Sequence, residues 1–140
     1  MLTPRMGCAV VVLLLSCGPI AVAADDKDRK AAEMKWAKGV VTDFVDLTNR
    51  GQWPQGGALL TASLRTCLDP KNEGFGPAHF GLFGNLKEVT FTSEEMSPDQ
   101  DEVLLRGTAK DANIKNALVK VQFRVVKEQG KWRIGQFDSK

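Results

Sequence analysis

The side chains best suited to chemistry in this 140-residue chain are few and widely separated. His79, within Pro77-Ala78-His79-Phe80-Gly81, is the only histidine, and so the only side chain that ordinarily changes charge near neutral pH. It can act as a general acid or base, or touch a ligand. One histidine cannot build a His-rich metal site, and no second ligand stands at helical or hairpin spacing from it. Asp43 and Asp46 offer carboxylates from a helical stretch, Asp43 on the flank of its apolar face and Asp46 on the polar side. Cys67 lies beside an apolar stripe, where a thiol behaves as a small buried hydrophobe, and Arg65 is its only basic neighbour in sequence. The acidic residues between 93 and 102 supply oxygen ligands of the kind calcium takes, without the Asp-x-Asp-x-Asp-Gly order of a dedicated loop. Gly74-x-Gly76 neither follows a strand nor opens a helix at dinucleotide spacing. These patterns call for no metal and no cofactor.

Two groupings remain as candidate binding residues. Phe75, Phe80 and Phe83 cluster around His79 and are expected to line or seal an apolar site. From Val103 onward the chain carries nine basic residues against three acidic ones. Within that stretch Lys120 and Arg124 share a strand face, and Arg106 and Arg133 are expected to flank them as a basic surface patch for an anionic ligand, a lipid headgroup or a partner protein. The whole chain has a net charge of only +2, which does not point to nucleic acid.

Positioning these residues requires helices first and strands afterwards. Over residues 25–50, Trp36, Val40, Phe44 and Leu47 recur at spacings of four, four and three, with Val41 and Val45 widening the stripe. Acidic Asp25, Asp26 and Asp28 suit a helix start and Gly51 a helix end, while Gly39 is expected to mark a close approach to a strand. After a turn at Trp53-Pro54, residues 58–68 predict a second helix with Leu60, Leu64 and Leu68 in line. Residues 69–84, rich in glycine and proline, predict a long loop of the kind that forms lids or contact surfaces. Residues 86–92, 103–109, 118–127 and 131–137 alternate as strands, with Val119, Val121, Phe123 and Val125 on one face and Lys120, Gln122 and Arg124 on the other. Glu128-Gln129-Gly130 predicts a tight hairpin. The fold class is α+β, with N-terminal helices packed on a curved antiparallel sheet of about four strands, cone-shaped, in a single domain over residues 24–140.

Residues 1–23 have the pattern of a signal peptide. Arg5 is the only early charge, an apolar run follows from Ala9 to Leu15, Gly18-Pro19 is a helix breaker, and Ala21-Val22-Ala23 supplies the small-x-small site that signal peptidase cuts. The expected location is periplasmic or secreted. Leu14-Leu15-Ser16-Cys17 also resembles a lipobox, in which Cys17 would take lipid and hold the domain at the cell envelope; an uncleaved anchor is the third possibility. On the first reading only Cys67 stays in the folded part, so stability rests on the core and not on an internal disulfide.

The meander ending in Val-Lys-Val-Gln-Phe-Arg-Val-Val-Lys-Glu-Gln-Gly-Lys-Trp-Arg-Ile-Gly-Gln-Phe-Asp (residues 119–138) resembles the nuclear-transport-factor-2-like superfamily over residues 34–138. Small exported or lipidated domains resembling lumazine-binding proteins are the most similar branch. The resemblance implies a sheet wrapped round a long helix, with an apolar pocket at the mouth of the cone. Enzymes of this fold resembling ketosteroid isomerase pair a pocket carboxylate with a tyrosine, and this chain has no tyrosine. The expected function is therefore a non-catalytic exported domain binding a small apolar or amphipathic ligand or a partner protein. The alternatives are a small isomerase-like or dehydratase-like enzyme using His79 or Asp43, and a structural envelope module. Intact mass of the exported protein should give an N-terminus at Ala24; a diacylglycerol-modified Cys17 would overturn that expectation.

Overall fold

Which residues of the first helix face the sheet is decided by spacing, including its small side chains. The computed structural model describes the backbone of residues 8–140 and the side chains of residues 25–140. Helix α1 spans Cys8–Asn49, and the chain divides into two units, Met1–Glu33 and Met34–Lys140. In the first unit Asp26 pairs with Arg29 at 2.7 Å. Cys17 and the cleavage site after Ala23 lie outside the described side chains. The helix does not start near Asp25 as expected, because the breaker assigned to Gly18-Pro19 falls inside it. An interior proline removes one hydrogen bond and kinks or breaks a helix, and here the backbone stays helical through it.

In the second unit Ala37, Val41, Phe44, Val45 and Thr48 are buried, a single face at helical period. Trp36, expected in the core, is 62% exposed. It lies one residue from Ala37, a rotation of about 100°, so a stripe drawn through the largest side chains is turned away from the true one. Lys38 and Asn49 flank the buried face and tie α1 to the first strand through Glu94 and the Leu86 carbonyl. The helix ends as expected at Gly51, whose φ of +74° allows Gly51 N–H to reach Thr48 O and Gln52 N–H to reach Leu47 O at 3.1 and 2.9 Å.

Trp53-Pro54, expected as a turn, opens a short helix α2 (Trp53–Gly57), where proline in the first turn loses no bond. The helix expected over residues 58–68 begins only at Ala62. Leu60 instead bridges the last strand, Thr61 N–H donating to Ile134 O at 2.9 Å and Ile134 N–H to Leu59 O at 2.8 Å. Thr61 then caps α3 (Ala62–Leu68) through Leu64 N–H, and the Glu128 carboxylate accepts from Ala62 N–H. This break buries Leu60 completely and turns Cys67, expected to be buried, into solvent.

Residues 69–84 are more ordered than a structureless loop. Buried Asp69 accepts Glu73 N–H on Oδ1 and Gly74 N–H on Oδ2, both at 2.9 Å, and leads into α4 (Pro77–Phe80) and a 3-10 turn, Gly81–Asn85. Four strands follow, β1 (Leu86–Met96), β2 (Glu102–Asp111), β3 (Ala117–Glu128) and β4 (Lys131–Ser139). They form one antiparallel sheet in sequence order. Gln129 and Gly130, both at positive φ, make the tight β3–β4 turn. Val121, Phe123 and Val125 face inward with Leu105, Val103 and Ile134, and Lys120, Gln122 and Arg124 face outward. The fold is α+β, helices followed by a four-stranded antiparallel sheet.

The close backbone approach lies at Gly107, where a Cβ would stand 1.9 Å from the Thr90 carbonyl oxygen, and not at Gly39, where nothing lies within 4 Å. The register slips on either side of that contact, between Lys87 and Thr90 and between Phe91 and Ser93, and bulges of this kind bend an edge strand. Phe44→Ala should lower stability by about 3–5 kcal/mol, whereas exposed Trp36→Ala should change it by less than about 0.5 kcal/mol. Urea unfolding distinguishes the two; a Phe44→Ala loss below about 1 kcal/mol would mean that α1 does not hold the sheet.

Candidate functional site

Aromatic rings occupy the space between α1 and the sheet. Phe83 meets Phe123 and Phe137 at centroid distances of 5.4 and 4.4 Å, Phe137 meets Phe44 at 5.7 Å, and Phe44 meets Phe80 at 5.5 Å. Phe80 continues to Trp53 at 6.0 Å and to Phe75 at 5.4 Å, and Phe75 contacts His79 at 5.7 Å. Of the candidate lining residues, Phe80 and Phe83 are therefore core side chains, buried at 2% and 5% exposure. Phe75 is half-buried on Gly57, where a Cβ would run into its ring at 2.3 Å.

His79 is held by its own loop. Gly76 N–H donates to Nδ1 at 3.0 Å, so the neutral ring keeps its proton on Nε2, which faces Asp69 Oδ1 at 3.8 Å. Both nitrogens are turned toward the loop that the Asp69 carboxylate organises. Asp43 is exposed and stands elsewhere, so the two candidate catalytic groups serve different neighbourhoods. Among the described residues no three His, Cys, Asp or Glu side chains gather to hold a metal ion.

The basic candidates also separate. Arg106 bonds Glu95 at 3.1 Å and Gln122 at 3.1 Å, and Arg124 grips Glu102 through Nε and Nη2 at 2.7 and 2.8 Å. Hydrogen bonding to Arg124 holds the Glu102 carboxyl below its ordinary range, and the same bonds raise Arg124. The outer face of the sheet is thus largely charge-compensated in its middle. Lys120 lies toward one end of it, beside a shallow depression of about 760 Å³ shared with Lys140 and Thr108.

Arg133 belongs to a different surface. Together with Lys35, Trp36, Gly39, Val40, Asp43, Lys131 and Trp132 it lines a groove of about 530 Å³ between α1 and the β3–β4 hairpin. The indole of Trp36 is the apolar wall of this groove. Gly39, with open space where a side chain would project, keeps its helix side low. Among the described residues Lys35, Lys131 and Arg133 form no ion pair, so three cations face one carboxylate, Asp43. In the sequence Trp36 falls in the expected core stripe, and Lys35 and Lys131 stand in no binding motif. The signal that locates them is the spacing Ala37, Val41, Phe44, Thr48, which puts Trp36 outside the buried stripe.

No protein-family model and no curated protein matches this chain. The Glu102–Arg124 pair gives a pH signature. Its folded carboxyl titrates below the unfolded one, so its stabilisation is present above pH 4.5 and is lost as pH falls through the lowered folded value. Both partners are more than a third exposed, which limits the contribution to about 0.2–1 kcal/mol. Glu102→Gln should therefore lower the urea midpoint at pH 7, and its deficit against the parent should shrink as pH falls below 4.5; a deficit that does not change with pH would show that charge is not what the pair supplies.

Proposed function

We propose that the chain is a non-catalytic exported domain of the nuclear-transport-factor-2-like superfamily that binds a small amphipathic anion in the groove between α1 and the β3–β4 hairpin. Helix-then-meander order supports the superfamily assignment, and the leader pattern of residues 1–23 supports export. The observation that carries the binding reading is Trp36, 62% exposed beside the unpaired cations of the groove. A large apolar side chain next to Lys35, Lys131 and Arg133 suits a ligand with an apolar body and an anionic head. Packed rings between α1 and the sheet favour this outer groove over an interior pocket behind residues 69–84. His79, with both nitrogens facing its own loop, favours binding over proton transfer.

Decanoate tests the reading, with decanol as its uncharged counterpart. Decanoate should bind saturably, alter tryptophan emission and raise the melting temperature through linkage, and decanol should do so more weakly. Trp36→Ala and Arg133→Gln should each weaken decanoate binding about tenfold, while Phe75→Leu leaves it unchanged. Equal binding by the parent and both groove variants would overturn the assignment.

A further inference from the structure

We infer that the β2–β3 end of the sheet docks onto an anionic membrane surface, a role beyond ligand binding in the groove. Ile114 and Leu118 are 57% and 69% exposed, and with Trp36 they are the exposed large hydrophobic residues among those described. Both sit in or beside the turn that joins β2 to β3. Lysines surround them. Lys110 lies directly opposite Leu118 across the strands, Lys120 follows two residues along the same outward face, and Lys140 pairs with Lys120 through both backbone hydrogen bonds. Lys115 sits in the turn itself, at φ +48°.

Acidic compensation here is small. Glu88 pairs with Lys110 at 2.6 Å, Asp138 shares the depression of Lys120 and Lys140 but accepts from Gln136 Nε2 at 3.0 Å and forms no ion pair with either, and Asp111, at the root of the turn, is fully buried with Oδ1 accepting Asn113 N–H at 2.8 Å. Farther along the same outward face Arg106 and Arg124 are matched by Glu95 and Glu102, whereas Lys115, Lys120 and Lys140, at the end that exposes Ile114 and Leu118, form no ion pair among the described residues.

The choice of cation distinguishes a lipid surface from a protein partner. Protein interfaces favour arginine, whose planar fork makes bidentate contacts, and are depleted in lysine. Lysines ringing exposed aliphatic tips suit the bilayer boundary: the tips enter the headgroup region, the lysine stems lie along apolar surface, and the ammonium groups stay with anionic headgroups. Phosphatidylglycerol headgroups supply the matching charge.

The test uses the full chain with vesicles of phosphatidylcholine alone and of phosphatidylcholine with phosphatidylglycerol at three to one. An apolar leader contributes to both partitions, so the ratio of anionic to neutral binding is the measured quantity. That ratio should fall about fivefold for Lys115→Gln and again about fivefold for Lys120→Gln, and it should collapse in 0.5 M salt, where the Debye length is only a few ångströms. Trp36→Ala should leave it intact, which separates this surface from the groove. Ile114→Trp supplies a second readout: brominated lipid should quench the added emission in anionic vesicles. An unchanged ratio in the lysine variants would overturn the inference and leave the surface to an acidic protein partner; absence of added quenching in Ile114→Trp would overturn it as well.

Discussion

Phe44 is the contact on which the architecture depends. Its ring lies between Phe80, from the segment before the sheet, and Phe137, from the last strand. Through these two neighbours it joins α1, α4 and β4, and through Phe137 it reaches Phe83 and Phe123. Aromatic side chains bury a large area each and constrain one another in direction as well as distance. The consequence is a core whose helix can rotate little: a turn of one residue in one direction would replace Phe44 by Asp43, and in the other would replace Val41 by Thr42. That same constraint leaves Trp36 outside, because it stands about 100° round from Ala37 on the side away from Val41 and Val45.

Outside the packed rings, the surfaces of the described residues differ in charge. Cross-strand pairs neutralise the middle of the sheet, while the groove beside Trp36 and the β2–β3 end retain cations without matching acids. Lone apolar side chains on a protein surface are ordinary. Here, however, Trp36, Ile114 and Leu118, the large ones exposed among the described residues, sit where positive charge is left uncompensated. Both proposed roles rest on that coincidence.

Much of the sheet was legible in the sequence. Alternation through Val121, Phe123 and Val125 located the inward face of β3, and Gln129-Gly130 announced the turn, because period-two burial and positive-φ turns leave direct traces in residue type. The helical region was harder. Leucines at 60, 64 and 68 imitate a helical stripe, yet Leu60 is drawn into a bridge with Ile134, a long-range contact that local spacing cannot contain. Gly39 illustrates the converse, since a glycine within a helix signals either a close neighbour or an empty space, and sequence gives no means of choosing. The groove leaves no such trace, because the size of Trp36 points it into the core and only the spacing of Ala37, Val41 and Phe44 turns it out.

The ring contacts also set an order of events in folding. The four strands are neighbours in sequence, so their hairpins close short loops and can form early. The Phe44–Phe137 contact is different, because it joins the helical region to the final strand. A chain made in the N-to-C direction cannot close this contact until Phe137 has been added, and until then the face of α1 that carries Val41 and Phe44 has no sheet to cover it.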